Sequence, residues 1–164
     1  IIVVRGTLIN LGFYAAAAAV VGGAWYPVRS MLASLFFAVF GCVIALMKDV
    51  PDVQGDKEYS IRTFSVRLGA RTVLRTATGV LSFTFLAAAA GCLWGCFQAA
   101  SPALTAGRGA VACISGATGA WIWQSAGQLL SETGEQEFSK TAYEYYMQLW
   151  KIFYASYLLL PFAL

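Results

Sequence analysis

Residues 31–57 read MLASLFFAVFGCVIALMKDVPDVQGDK, and the character of the chain changes at residue 48. Met31 to Met47 carries no charge. From there on, Lys48, Asp49, Asp52, Asp56 and Lys57 crowd around Pro51 and Gly55. The apolar part approaches the roughly 20 residues that a helix needs to cross a bilayer. Four more such runs accompany it: Ile1 to Val21, Val73 to Phe97, Gly109 to Leu130 and Tyr143 to Leu164. Small residues are dense in them, at Ala15 to Ala19, Ala87 to Ala90, Gly116 and Gly119. Small side chains let helices approach closely in lipid. The pattern predicts an all-α fold, a polytopic transmembrane helix bundle of about five spans. Residues 1–164 are expected to be the C-terminal part of one integral-membrane domain, with an aspartate-rich loop at 48–70.

Composition points the same way. The 164 residues are 59% hydrophobic and 12% charged, against about a quarter charged in an ordinary globular domain. So few ionic groups do not cover a water-facing surface. A disordered tail, a nucleic-acid-binding arm and a secreted disulfide framework are excluded, and the net charge of +3 calls for no polyanionic partner. There is no His, which removes imidazole metal sites and His general bases from this chain. Cys42, Cys92, Cys96 and Cys113 lie in apolar stretches without a C-x-x-C pair, a pattern that disfavours zinc. The chain opens on Ile1 inside an apolar run, without the basic head of a signal peptide. That start is expected to be internal to a longer protein. Charge concentrates between residues 48 and 75, with Lys48, Lys57, Arg62, Arg67, Arg71 and Arg75 as its basic members. Five spans put this loop and the Ser131–Ala142 loop on one side, and the basic residues place that side toward the cytoplasm or its topological equivalent.

Asp49, Asp52 and Asp56 fall at i, i+3 and i+7. On a regular helix they would share a face about 60° wide. Pro51 lacks an N–H and disfavours helical geometry at Val50, so the second span is expected to end or kink here. Gly55 permits a turn and a close approach of backbone to ligand. Clustered carboxylates repel one another, which raises their pKa values. A divalent cation relieves that repulsion. Carboxylates without His or Cys favour a hard ion such as Mg²⁺, which also accepts phosphate oxygens. Lys48, Lys57 and Arg62 are natural phosphate partners, Arg with two oxygens at once. Cation and basic residues beside lipid suggest a diphosphate on a lipophilic molecule. A solvated interhelical loop of mixed charge is the plain alternative. The string is not an EF-hand loop, since the D-x-[DN]-x-[DN]-G pattern is absent.

Lys48 to Gly69, including Ile61-Arg62-Thr63-Phe64-Ser65-Val66-Arg67-Leu68-Gly69, resembles the second aspartate-rich motif of the UbiA-type intramembrane aromatic prenyltransferases. The similarity is closest to the plastid homogentisate branch, which makes tocopherol and plastoquinone precursors. Leu149 to Phe162 also resembles that branch. The resemblance covers essentially the whole chain, as the last five of the family's nine helices. It implies Mg²⁺-dependent transfer of a long-chain prenyl group from an allylic diphosphate to homogentisate, in a plastid membrane. It implies Asp49, Asp52 and Asp56 as metal ligands, directly or through water, with Lys48, Lys57 and Arg62 stabilising the diphosphate. The family's first aspartate motif has no match here, so the chain alone is expected to be inactive. No residue is assigned to loss of CO₂ from the acceptor. Val4 to Tyr14 looks more like solanesyltransferases, while Ile61–Leu68 and the C-terminal run look more like phytyltransferases. Polar positions inside the first span favour solanesyl; phytyl transfer, or prenylation of another aromatic acceptor, is the alternative.

Other polar residues have competing readings. Arg5 sits in the first span as a functional group or a snorkelling side chain. Asn10 is either functional or a tie between helices. Lys151 reaches a substrate cavity or pairs with Glu144. The aromatic run from Tyr143 to Tyr157 reads foremost as an interfacial belt, with cation stabilisation as the second option. Cys92 and Cys96 share a helix face and pack. Arg67, Arg71 and Arg75 suit anionic headgroups. A CDP-alcohol phosphotransferase would need an Asp-Gly-x-x-Ala-Arg continuation that is absent. A divalent-cation transporter would place acidic residues inside the spans, which hold no Asp.

Overall fold

The computed structural model describes residues 2–20 and 28–163. Among them every regular element is a helix: α1 (Ile2–Val20), α2 (Val28–Lys48), α3 (Val53–Glu58), α4 (Phe64–Leu68), α5 (Ala70–Phe97), α6 (Pro102–Ser131) and α7 (Glu135–Ala163). The expected all-α bundle is the observed fold class. Among the described residues, two helical stretches, Met31–Lys48 and Ala70–Phe97, are long and apolar enough to cross a membrane. At 1.5 Å per residue, α6 and α7 reach roughly 45 Å. They are more polar, however: α6 carries Ser, Thr and Arg108, and charges fill the first half of α7.

The ends of the helices follow local chemistry. α2 stops at Lys48, whose charge suits the negative end of the helix dipole, and Pro51 follows. Gly69, at φ +88°, turns the chain into α5, a backbone region that glycine occupies without strain. Ser101 caps α6 by accepting from the Leu104 N–H, and Pro102 occupies its first turn. Four helices begin earlier than the apolar runs suggested: α2 at Val28, α5 at Ala70, α6 at Pro102 and α7 at Glu135. Apolar content marks the part of a helix that suits lipid, whereas hydrogen bonding carries the helix past it. The expected Ser131–Ala142 loop therefore shrinks to residues 132–134, because Glu, Gln and Lys are good helix formers. Glu135 and Glu137 also suit the positive end of α7.

The core lies among α2, α5, α6 and α7, with Phe40, Met47, Leu74, Leu81, Ile122 and Leu149 almost fully buried. Phe40 meets Phe85 and Phe153 edge-on, with centroids at 5.7 and 5.2 Å. α5 and α6 pack closely where Gly119 faces Ser82 and Phe85; a Cβ at Gly119 would stand 3.1 Å from both the Ser82 carbonyl oxygen and Phe85 Cβ. Ser82 donates across that seam to the Gly119 carbonyl at 2.6 Å. The small-residue pattern is thus used for close helix approach.

Asn10 does tie two helices. Its amide donates to the Tyr157 hydroxyl at 3.2 Å, joining α1 to α7. Part of the aromatic run packs against neighbouring helices. Tyr145 is buried and donates to the Ile122 carbonyl, Phe153 packs between Phe37 and Phe40, and Tyr157 stacks on Phe37. These rings face neighbouring helices because α7 closes the bundle core. Tyr143 and Tyr154 do point outward. Cys92 and Cys96 are free thiols on α5, consistent with packing. The Arg5 side chain lies outside the described residues.

The aspartate loop as candidate active site

Between α2 and α5 the chain makes two short helices instead of one irregular loop. Asp49 follows the last turn of α2. Asp52 occupies the position before α3, where its side chain makes no capping bond. Asp56 lies within α3. The break at Pro51 places the aspartates at the mouth of a helix, off any continuous rod. Gly55 is helical; a Cβ there would sit 2.9 Å from Asp52 Oδ1. Its missing side chain leaves room for the Asp52 carboxylate.

The three charges interact. The Asp49 carboxyl is held above its ordinary range, first by partial burial, then by the charge of Asp56 and more weakly by Asp52; Lys48 opposes the shift. Asp56 is fixed more firmly. Its Oδ2 accepts from the Thr63 hydroxyl at 2.9 Å. Its carbonyl accepts from the Ile61 N–H at 2.8 Å, and its own N–H donates to the Asp52 carbonyl at 2.9 Å. Thr63 also begins α4, where its hydroxyl oxygen accepts from the Val66 N–H.

Of the basic residues, Lys48 lies at the end of α2 and near enough to act on Asp49. Lys57 is exposed on α3, and Arg62 is exposed between α3 and α4. Among the described residues, no three acidic, His or Cys side chains converge as a metal cage. The donors are nevertheless oxygen-only, and Mg²⁺ commonly takes one or two carboxylates and fills its shell with water and phosphate. The arrangement suits an open site that a phosphate-bearing substrate completes.

The turn between α6 and α7 braces this loop. Ser139, in α7, donates to the Pro51 carbonyl at 2.6 Å. Arg71, in the first turn of α5, donates to the carbonyls of Leu130 and Glu132, and its guanidinium lies 4.5 Å from the centre of the Phe138 ring. Arg71 therefore holds protein groups in place, where headgroup contact was expected. The two connections share one end of the bundle, as the count of spans between them implied.

An apolar cleft of about 450 Å³ opens among α2, α5, α6 and α7, lined by Leu32, Phe36, Val39, Phe85 and Cys92 among others. Leu32 to Val39 stand about 15–25 Å back along α2 from Asp49, at 1.5 Å per residue. The cleft belongs to the opposite half of the bundle from the aspartates. Arg108 also lines it, nearly buried, and donates to the Gly95 carbonyl near the end of α5 at 2.8 Å.

The profile of the UbiA prenyltransferase family matches residues 1–152. The chain belongs to this family. Its similarity to homogentisate enzymes is equally clear. Homogentisate geranylgeranyltransferase of Triticum aestivum is 34% identical over 165 residues, covering 99% of this chain and 38% of that protein. Homogentisate phytyltransferase of Synechocystis sp. is 34% identical over 168 residues, covering 100% of this chain and 50% of that protein. The chloroplastic homogentisate solanesyltransferase of Arabidopsis thaliana is 31% identical over 167 residues, covering 97% of this chain and 39% of that protein. The chain thus spans half or less of the length of these relatives. No solved structure matches it.

In this UbiA-family chain, sequence reasoning passed over Thr63, Ser139 and Arg108. Thr63 carried a readable signal, since Thr before a short apolar run is a helix cap. The bond from Ser139 to Pro51 joins residues 88 apart and has no local signature. Arg108 falls just outside the apolar run Gly109 to Leu130, because α6 begins before that run does.

Proposed function

We propose that the protein carrying this chain transfers a long-chain prenyl group from an allylic diphosphate to homogentisate, within a plastid membrane. The observation that carries this reading is the aspartate loop, Lys48 to Arg62, set at one end of an apolar bundle in a UbiA-family chain. The homogentisate enzymes among its relatives support the acceptor. Exposed apolar side chains on α5, such as Phe83, Trp94 and Phe97, suit lipid or further protein. Five spans, with the aspartate loop on the basic side, fit the length of α1, α2, α5, α6 and α7.

Asp49, Asp52 and Asp56 would hold magnesium, directly or through water. Bound there, the metal would neutralise charge on the departing diphosphate. Lys48, Lys57 and Arg62 add positive charge at the same mouth, Arg62 with paired donors for two oxygens. The carbocation left on the prenyl group needs shielding from water, and the apolar helices beneath the loop supply it. The cleft beyond gives the prenyl tail a direction in which to extend.

Donor length is open to a direct test. Asn10, one of the polar positions behind the solanesyl expectation, is engaged with Tyr157 in a helix tie. Membranes containing the full-length protein should be given labelled homogentisate with solanesyl, geranylgeranyl or phytyl diphosphate in turn. Product from at least one donor is expected, and its loss in Asp49→Ala. No product from any of them, or full turnover by Asp49→Ala, would overturn the assignment.

A further inference from the structure

We infer that Thr63 is a positioning residue that sets the orientation of the Asp56 carboxylate; this rests on the reading of Asp56 as a ligand for the cation that accompanies the diphosphate. A hydroxyl has one proton to donate. The Thr63 oxygen accepts from the Val66 N–H at 3.4 Å, and its proton is directed to Asp56 Oδ2 at 2.9 Å. Both Thr63 and Asp56 are partly buried. That bond occupies one carboxylate oxygen and restricts rotation of the group, leaving Oδ1 for an incoming ligand. The main chain reinforces it, because Asp56 also accepts from the Ile61 N–H at 2.8 Å. The link from α3 to α4 is therefore closed twice, once through backbone and once through side chains. Capping of α4 and aiming of Asp56 are the work of one hydroxyl. Groups that hold a metal ligand in place from behind typically change metal affinity or activity by about 10- to 100-fold when removed.

The test uses full-length protein in detergent or nanodiscs, with Mn²⁺ as the probe. Mn²⁺ binding to the enzyme without prenyl donor is followed by electron paramagnetic resonance, alongside the thermal melt and the KM for prenyl diphosphate. Thr63→Val keeps the shape and removes the hydroxyl; it should weaken Mn²⁺ binding by roughly 10- to 100-fold. Thr63→Ser restores the donor and should return binding to within a few-fold of the parent. Thr63→Gly loses the donor but remains an acceptable helix cap. It should show the same loss of Mn²⁺ binding, and it takes the place of Thr63→Val if that variant does not fold. A purely structural role predicts a lower melting temperature with unchanged Mn²⁺ affinity, and that result overturns the inference, as does failure of Thr63→Ser to rescue. Asp56→Asn separates the two levels. If it leaves Mn²⁺ binding unchanged, the role of Asp56 itself is wrong. If it weakens binding while Thr63→Val and Thr63→Gly do not, only the role of Thr63 is wrong.

Discussion

At Gly55 a missing side chain decides where a carboxylate points. The nearest atom to a Cβ placed there is Asp52 Oδ1, at 2.9 Å. A carboxylate can swing aside, so the fold tolerates the change, and Ala is favoured over Gly in a helix by about 1 kcal/mol. Gly55→Ala should therefore keep or raise the melting temperature of the full-length protein while lowering prenyl transfer. Equal turnover in the variant would show that the orientation of Asp52 is irrelevant. Asp49 makes a second residue-level prediction. Burial and the neighbouring carboxylates hold its pKa above the ordinary carboxylate range. A proton therefore competes with a cation for Asp49 at higher pH than it would at a free aspartate. The concentration of Mg²⁺ needed for half-maximal transfer should climb as pH falls toward that raised pKa. For folding, the ionised carboxylate is unfavourable above the raised pKa, and stability is gained as pH falls through it. A Mg²⁺ requirement that stays constant as pH falls toward the carboxylate range would contradict this account.

Among the elements, the end of α2 was legible because Lys48 and Pro51 act locally, through the helix dipole and the missing N–H. The identity of the candidate ligands was equally legible, since Asp49, Asp52 and Asp56 declare their chemistry by type and spacing. The two short helices of the loop were not, because five or six residues form no amphipathic period long enough to read. Nor were the braces, which depend on how distant elements meet. Ser139 shows what such a brace contributes. Its hydroxyl supplies a bond to the Pro51 carbonyl from another helix. Ser139→Ala leaves that carbonyl without this donor, at a typical penalty of about 1–3 kcal/mol if it stays dry. Amide hydrogen exchange in residues 49–56 should become faster in the variant, with α5 and α6 unaffected. Unchanged exchange in that segment would show that the loop stands without α7.

For the whole molecule, the aspartate loop and the turn at 132–134 occupy one end, and the link at 98–101 lies at the other. In sealed vesicles this becomes a labelling pattern. Single cysteines introduced at Glu58 and Thr133, in a protein freed of its native cysteines, should react with a membrane-impermeant thiol reagent from the same side. A cysteine at Ala100 should react only from the opposite side. Labelling of all three from one side would rule out α5 and α6 as membrane-crossing helices. The polar end and the apolar cleft thus lie in opposite halves of the bundle.

The braces at the polar end share one trait. Ser139 and Arg71 reach for main-chain oxygens of Pro51, Leu130 and Glu132, not for their side chains. Every amino acid offers that oxygen, so replacement at any of the three receiving positions leaves an acceptor available. The scaffold behind the aspartates can thus absorb substitutions on the receiving side while the donors stay put. A mutational scan should find Ser139 and Arg71 sensitive and Glu132 permissive, whereas Leu130, whose side chain packs against the core, tolerates apolar replacements best.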